Sequence, residues 1–394
     1  MKKLMMATAA MALMAGAASA EDAKIGIILG YTGPLESITP IMADSAELAI
    51  KEVNDSGKFM DGGKVTSLRA DDTCIDAAAA VAAAERLVTA EGINAIMGAD
   101  CSGVTGSILQ NVARPNGVGM ISPSATSPGL STAEDDGLFF RTAPSDARAG
   151  EVIADVLGER GVKSIAITYT NNDYGKGLSE SIAKNFEAKG GKVTANTAHE
   201  DGKADYSAEV ATLASAGGDV LVVAGYVDQG GKGIIQAALD TGAFSTFYLP
   251  DGMYGESLIQ AIGPALNGSY GTVPGTDSEG NATFLEMGKA AGFDPTSSFT
   301  GESYDAAALI MLAMQAAKST DSKEWTKKVM EIANAPGEKI EPGQLGHALE
   351  LIAAGTDIDY DGATAVELIG SGESAGNYRE YTVKDGKFVT DRFR

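Results

Sequence analysis

In the segment Met97–Thr126, MGADCSGVTGSILQNVARPNGVGMISPSAT, small hydroxyl residues twice follow a short apolar run. Ala95–Met97 leads into Asp100, Cys101 and Ser102, and Val118–Ile121 leads into Ser122, Ser124 and Thr126. Each apolar run reads as a strand, and a helical pattern lies between them. Ser102 falls in the first turn of that helix, where unpaired backbone N–H groups and the positive end of the helix dipole favour an anion. Thr126 and the N–H groups around it supply a second set of donors. Together the two strand ends suit a carboxylate held without a formal positive charge. Plain capping of helix starts by serine and threonine is the competing reading.

Other chemistry finds little support. GYVDQGGKGII does not have the spacing of a phosphate-binding loop, and no G-x-G-x-x-G follows the first strand. The only two histidines, His199 and His347, are far apart and lack metal-type partners. No catalytic residue, metal or cofactor is therefore expected, and the chain reads as a binding protein rather than an enzyme. An exported hydrolase using a carboxylate or lysine base is the weaker alternative. The two cysteines, Cys74 and Cys101, are expected to form one disulfide if the chain is exported, with two buried thiols as the alternative.

The elements that position these residues alternate along the chain. KIGIILG precedes a helical pattern near Thr39–Ser56, and KVTSLRADD precedes one near Asp76–Glu91. NAIMG, GVGMIS and LFFRTA follow, and the alternation starts afresh with SIAITYT, GKVTANTA, DVLVVAG and FYLPD. Near-continuous Ile/Val/Leu runs mark strands buried on both faces, and their alternation with helices marks parallel βαβ units. The fold class is α/β, with two doubly wound parallel-sheet lobes joined by hinge strands. Thr300–Ala354 reads as mostly helical, and NYREYTVKDGKFV as a hairpin turning at Asp-Gly. In such sheets ligands sit beyond the carboxyl ends of the strands, where the hydroxyl residues fall.

The chain opens MKKLMMATAAMALMAGAASA: two lysines, an apolar run and a small-residue cut site. Residues 1–20 are expected to be a signal peptide, so the mature chain is expected to start near Glu21 and to be exported. With 30 Lys+Arg against 53 Asp+Glu, nucleic acid and anionic membrane surfaces are poor partners.

Eight motifs then stand in a family's order. GYTGPL (Gly30–Leu35), DDTC ending at Cys74 and DCSGVT starting at Asp100 come first. ISPSATSP, FRTAPSD, NNDYGKGL, AGYVDQG and SYDAA follow. With them the chain resembles the periplasmic leucine/isoleucine/valine-binding proteins, the substrate-binding components of branched-chain amino-acid ABC transporters, over nearly all of its expected mature length. The resemblance implies a type I periplasmic binding fold and an amino acid held between two closing lobes. It also implies a membrane permease as partner and a monomer in solution. Lobe 1 is expected to comprise 21–143 and about 275–355, and lobe 2 144–274 and about 356–394.

The resemblance further implies roles. Ser102 and Thr126 match positions that bind the ligand carboxylate, and Ser124 one whose backbone carbonyl meets the ammonium. Asp251 falls where the family places an ammonium-pairing acid, usually glutamate. Tyr174 and Tyr226 match aromatics brought over the ligand, Phe299 matches a side-chain-pocket aromatic, and Asp146 lies at the crossing into the second lobe. Two positions depart from the family: Ile38 stands where an aromatic is usual, and Asp100 where an apolar residue precedes the cysteine. Both lie in the part that selects the ligand side chain. The first expectation is a branched-chain or other hydrophobic amino acid. The alternatives are a polar, amide-bearing or cationic one, or a sensor subunit that contacts a receptor.

Overall fold

The computed structural model describes residues 21–394; the expected signal peptide lies outside them. Two seven-stranded sheets organise the chain. The first takes β1 (Ala23–Leu29), β2 (Val65–Asp71), β3 (Ala95–Gly98), β4 (Gly119–Ser122) and β5 (Phe139–Pro144) in the parallel order β2-β1-β3-β4-β5. The second takes β6 (Ser164–Thr170), β7 (Lys192–His199), β8 (Val220–Ala224), β9 (Phe247–Tyr248) and β10 (Tyr270–Pro274) in the matching order β7-β6-β8-β9-β10. Both are doubly wound sheets with a switch of winding direction beside their first strand, between β1 and β3 and between β6 and β8.

The runs that form the central strands are apolar because helices cover both faces. All five residues of β8 are buried, as are all four of β3 and of β4. The helix Thr39–Ser56 and the helix Thr300–Ala317 pack together on one face of the first sheet. The latter is apolar nearly all round and buried from Thr300 to Gln315. The helices Asp146–Glu159 and Asp173–Ala188 pack on each other beside the second sheet.

The chain passes between the sheets three times. It crosses after β5, where Asp146 opens a helix, and returns after β10. β11 (Glu338–Ile340) interrupts the stretch expected to be helical and pairs with β12 (Ile358–Tyr360), just beyond it, in a two-stranded sheet. The last crossing differs from expectation. β13 (Leu368–Ile369) and β14 (Glu373–Ser374) extend the first sheet beside β5, so the chain leaves it between Ser374 and Tyr378, not near 356. Glu373 anchors that edge through its bond to Arg141. β15 (Tyr378–Lys384) and β16 (Lys387–Phe393) then form a hairpin on the second sheet. Asp385 and Gly386 turn it with φ of 51° and 66°, the double positive φ of a type I′ turn.

Cys74 and Cys101 are disulfide-bonded, with Cα atoms 5.2 Å apart. The bond ties the turn after β2 to the turn after β3. Among the described residues no helix is long and apolar enough to cross a membrane.

Candidate functional site

The two switch points face each other, and the residues after their strands meet in one buried cavity. Leu35, Ile38 and Met42 follow β1; Asp100, Cys101 and Ser102 follow β3; Ser124 follows β4. Tyr174 follows β6, Tyr226 follows β8, Asp251 and Gly252 follow β9, and Phe299 precedes the helix Thr300–Ala317. The cavity is about 20 Å³, roughly the space of one water. A cavity of this size is too small for an amino acid in the arrangement seen here.

Local backbone needs fix the first-lobe edge. Gly98 has φ 137°, and a Cβ there would lie 2.2 Å from the Ile28 carbonyl, so only glycine ends β3 this way. The Ser102 hydroxyl accepts from the Ser127 N–H at 3.0 Å, and the Ser124 hydroxyl donates to the Asp100 carbonyl at 3.1 Å. These bonds tie the β3 and β4 ends into one surface. Arg141, 1% exposed, braces that surface from behind. It donates to the carbonyls of Ala125 and Ser127 at 2.9 Å each, and to Ser131 Oγ and Glu373 Oε2 at 2.6 Å.

The second-lobe edge is aromatic and acidic. The rings of Tyr174 and Tyr226 stack with centroids 5.2 Å apart. Asn172 caps its helix by accepting from the Gly175 N–H and donates to Tyr226 Oη at 3.1 Å. Asp251 Oδ1 accepts from Tyr174 Oη at 2.6 Å and from the Gly252 N–H at 2.7 Å. A Cβ on Gly252 would lie 2.6 Å from the Gly225 carbonyl and 2.8 Å from Tyr174 Oη, so glycine lets the Asp251 turn approach the tyrosine. Burial pushes the Asp251 carboxyl up, and the Tyr174 hydroxyl partly offsets this.

Eight of the ten residues expected to touch a ligand line the cavity: Ile38, Asp100, Ser102, Ser124, Tyr174, Tyr226, Asp251 and Phe299. Phe299 holds an αL backbone, φ 60°, which is costly for an aromatic residue and turns the chain into its helix. Thr126 and Asp146 do not line the cavity. Both are buried, and the Asp146 N–H donates to the Thr126 carbonyl at 2.8 Å. Thr126 Oγ1 and both Asp146 carboxylate oxygens have no hydrogen-bond partner among the described residues. Burial first and the Asp251 charge second push Asp146 well above the carboxylate range, which favours its neutral, donor-bearing form.

Several contributors were not singled out from sequence. Leu35 and Met42 supply apolar wall, and Arg141 is the brace. Glu302, also buried, is pushed up to about 8 by burial, with Asp305 and Asp251 adding to it. Asp72, behind Asp100, is raised by burial and by that neighbour. The GYTGPL, DDTC and FRTAPSD motifs contain Leu35, Asp72 and Arg141, so the signal was present as motif membership but not as a role. Among the described residues one group, Cys74, Asp100 and Cys101, has the spacing for a metal ion, but its two sulfurs are bonded to each other.

Two facing doubly wound lobes with their strand-end residues gathered around a closed cleft define a two-lobed solute-binding protein. The family model described as periplasmic binding protein matches residues 22–337, and the chain belongs to that family. It is 33% identical over 331 residues to Leu/Ile/Val-binding protein homolog 1 of Brucella melitensis, covering 82% of this chain and 86% of that one. It is 29% identical over 345 residues to the leucine-, isoleucine-, valine-, threonine-, and alanine-binding protein of Pseudomonas aeruginosa, covering 86% and 90%. Among solved structures, the leucine binding protein LivK of Thermotoga maritima superposes with a TM-score of 0.80 at 21% identity, covering 94% of this chain and 98% of that one. The substrate-binding protein LivJ of Streptococcus pneumoniae in complex with isoleucine gives 0.78 at 23% identity, covering 95% and 99%.

Proposed function

We propose that this chain captures a free amino acid in the periplasm and passes it to an ABC transporter permease, acting as a monomer and without a catalytic step. The observation that carries the reading is the facing of two unlike edges across one cavity. Ser102 and Ser124 stand on one side; Tyr174, Tyr226 and Asp251 stand on the other. A zwitterion bridges such edges, with its carboxylate toward the hydroxyl and N–H edge and its ammonium toward Asp251. Water exclusion on closure strengthens both contacts. Leu35, Ile38, Met42 and Phe299 supply apolar wall for the side chain. The relatives named for leucine, isoleucine and valine support an aliphatic ligand as the first expectation.

In this reading the moving units divide at the three crossings, near 145, 275 and 376. Ligand bridging holds them closed, so the loaded form presents one surface to the permease. The test is mass spectrometry of whatever co-purifies from periplasm, followed by calorimetry with free amino acids. Failure of every amino acid to bind refutes the reading.

A further inference from the structure

The side-chain end of the cavity holds a carboxylate that its surroundings leave short of donors. Asp100, 2% exposed, lines the cavity beside Leu35, Ile38 and Met42. Its one well-formed bond from a protein N–H is to Oδ1, from Gly30 at a long 3.2 Å. The N–H groups of Asp100 and Cys101 and the Asp72 carboxyl also favour its charge, yet burial outweighs them and raises it. Its Oδ2 lies 3.5 Å from the Cys101 sulfur, which carries no proton in a disulfide. Asp72, fully buried, stands behind it. Asp72 Oδ1 accepts from the Cys74 N–H at 2.8 Å, while Asp72 Oδ2 has no donor among the described residues. Burial raises both acids, and with one proton shared between them the pair carries one negative charge.

No lysine or arginine lines this cavity. Arg69, the cation within β2, is spent on Asp44 and Glu47 at the surface. The buried Arg141 is spent on Glu373 and on carbonyls. A buried charge without a partner is costly, and an aliphatic ligand side chain would leave it so while removing the last water. A second acid, Asp251, stands across the same cavity and is matched to the ammonium that every amino acid carries. The pocket thus has one acid more than an aliphatic zwitterion satisfies.

We infer that the preferred ligand is an amino acid whose side chain bears an N–H donor, cationic or amide, which Asp100 accepts at the β1–β3 end of the cavity. The inference rests on the amino-acid reading above and replaces its aliphatic side chain with a donor-bearing one. Asp72 is a positioning residue: it touches Asp100 and not the cavity. The disulfide fixes both acids, since each is next to, or two residues from, one of its cysteines.

The test compares side chains of similar length with and without a donor: lysine against norleucine, and glutamine against methionine. Calorimetry on the wild type is expected to favour the donor-bearing member of at least one pair by tenfold or more. Asp100→Asn keeps an acceptor for Gly30 and is expected to weaken the cationic ligand about tenfold while sparing the amide. Asp100→Leu is expected to reverse the ranking. If the apolar members bind as well as their partners in the wild type and remain dependent on Asp251, the inference falls and the amino-acid reading stands. If no amino acid binds, both fall. The wild-type pairs decide the matter even if neither variant folds.

Discussion

The Tyr174 hydroxyl donates to Asp251 Oδ1 at 2.6 Å, and the Gly252 N–H donates to the same oxygen at 2.7 Å. Both protein donors therefore occupy one carboxylate oxygen, and Oδ2 is the one available to a ligand ammonium. The tyrosine aims the acid and stacks on Tyr226 at the same time.

Asp251→Asn keeps the size of the side chain and removes its charge. A hydrogen bond to a charged group is worth about 1.5–3 kcal/mol, so affinity for the bound amino acid is expected to fall about tenfold or more. Tyr174→Phe leaves the charge but loosens its aim, and a smaller loss is expected. Calorimetry on both variants checks the order, and an unchanged affinity for Asp251→Asn removes that acid from the site.

The Cys74–Cys101 bond closes a separation of 27 residues. In the chain-entropy model such a loop contributes about 3–4 kcal/mol. The bond also holds Thr73 and Cys74 at φ of 63° and 66°, beside the acids behind the pocket. Replacing both cysteines by alanine is expected to lower stability by that order, and to weaken ligand binding in the folded variant. Denaturant titration and calorimetry read the two effects separately. An unchanged unfolding midpoint is the contrary result.

Stability is expected to depend on pH in both directions. Glu302 is raised to about 8 by burial, with Asp305 and Asp251 adding and Arg379 opposing. Its protonated form suits the fold, so its contribution is full below its usual value near 4.5 and is lost as pH rises through about 8. His199 behaves oppositely: burial lowers it to about 4, so its contribution is full above 6.5 and is lost as pH falls through about 4. Glu302→Gln should raise the unfolding midpoint at pH 9 and leave it nearly unchanged at pH 5. Equal effects at both values would show that the charge of Glu302 is not the cause.

Much of this architecture was legible because it is written in period and punctuation. The buried runs Ala23–Leu29 and Val220–Ala224 read as strands without any neighbour in view. Asp385–Gly386 announced its hairpin through the φ values such a turn requires. The third crossing was not legible, since β13 and β14 have two residues each and no periodicity to detect. Arg141 is identified by what surrounds it: a charged residue reads as surface until Glu373, 232 positions away, is seen against it. Thr126 and Asp146 fell in the right neighbourhood by motif, but only the folded backbone shows that they stand behind the cavity wall.

The mouth of the cleft carries its own fastening. The Ser37 N–H donates to Asp228 Oδ2 at 2.9 Å, and Ser257 Oγ donates to Asp228 Oδ1 at 2.6 Å. The Asp228 N–H donates to the Pro34 carbonyl at 3.1 Å, a bond any side chain would keep. Ser37 and Pro34 belong to the loop after β1, whereas Asp228 and Ser257 follow β8 and β9, so this carboxylate joins the two lobes without lining the cavity. Asp228→Ala removes the carboxylate's part of the link, keeps the Ser37–Ser257 hydroxyl contact at 3.3 Å and leaves every lining residue in place. Because the link exists only when the lobes meet, its loss destabilises the closed form by one amount whatever the ligand. The group is partly exposed, so the effect is expected near the lower end for a charged hydrogen bond, about three- to tenfold in affinity. The loss should appear in the dissociation rate, because a closed complex reopens faster while encounter with the open form is unaltered. Stopped-flow measurement with two ligands of different side chain tests this. A change in their ranking, or a loss confined to the association rate, would mean that Asp228 acts on the ligand or the open form and not on closure.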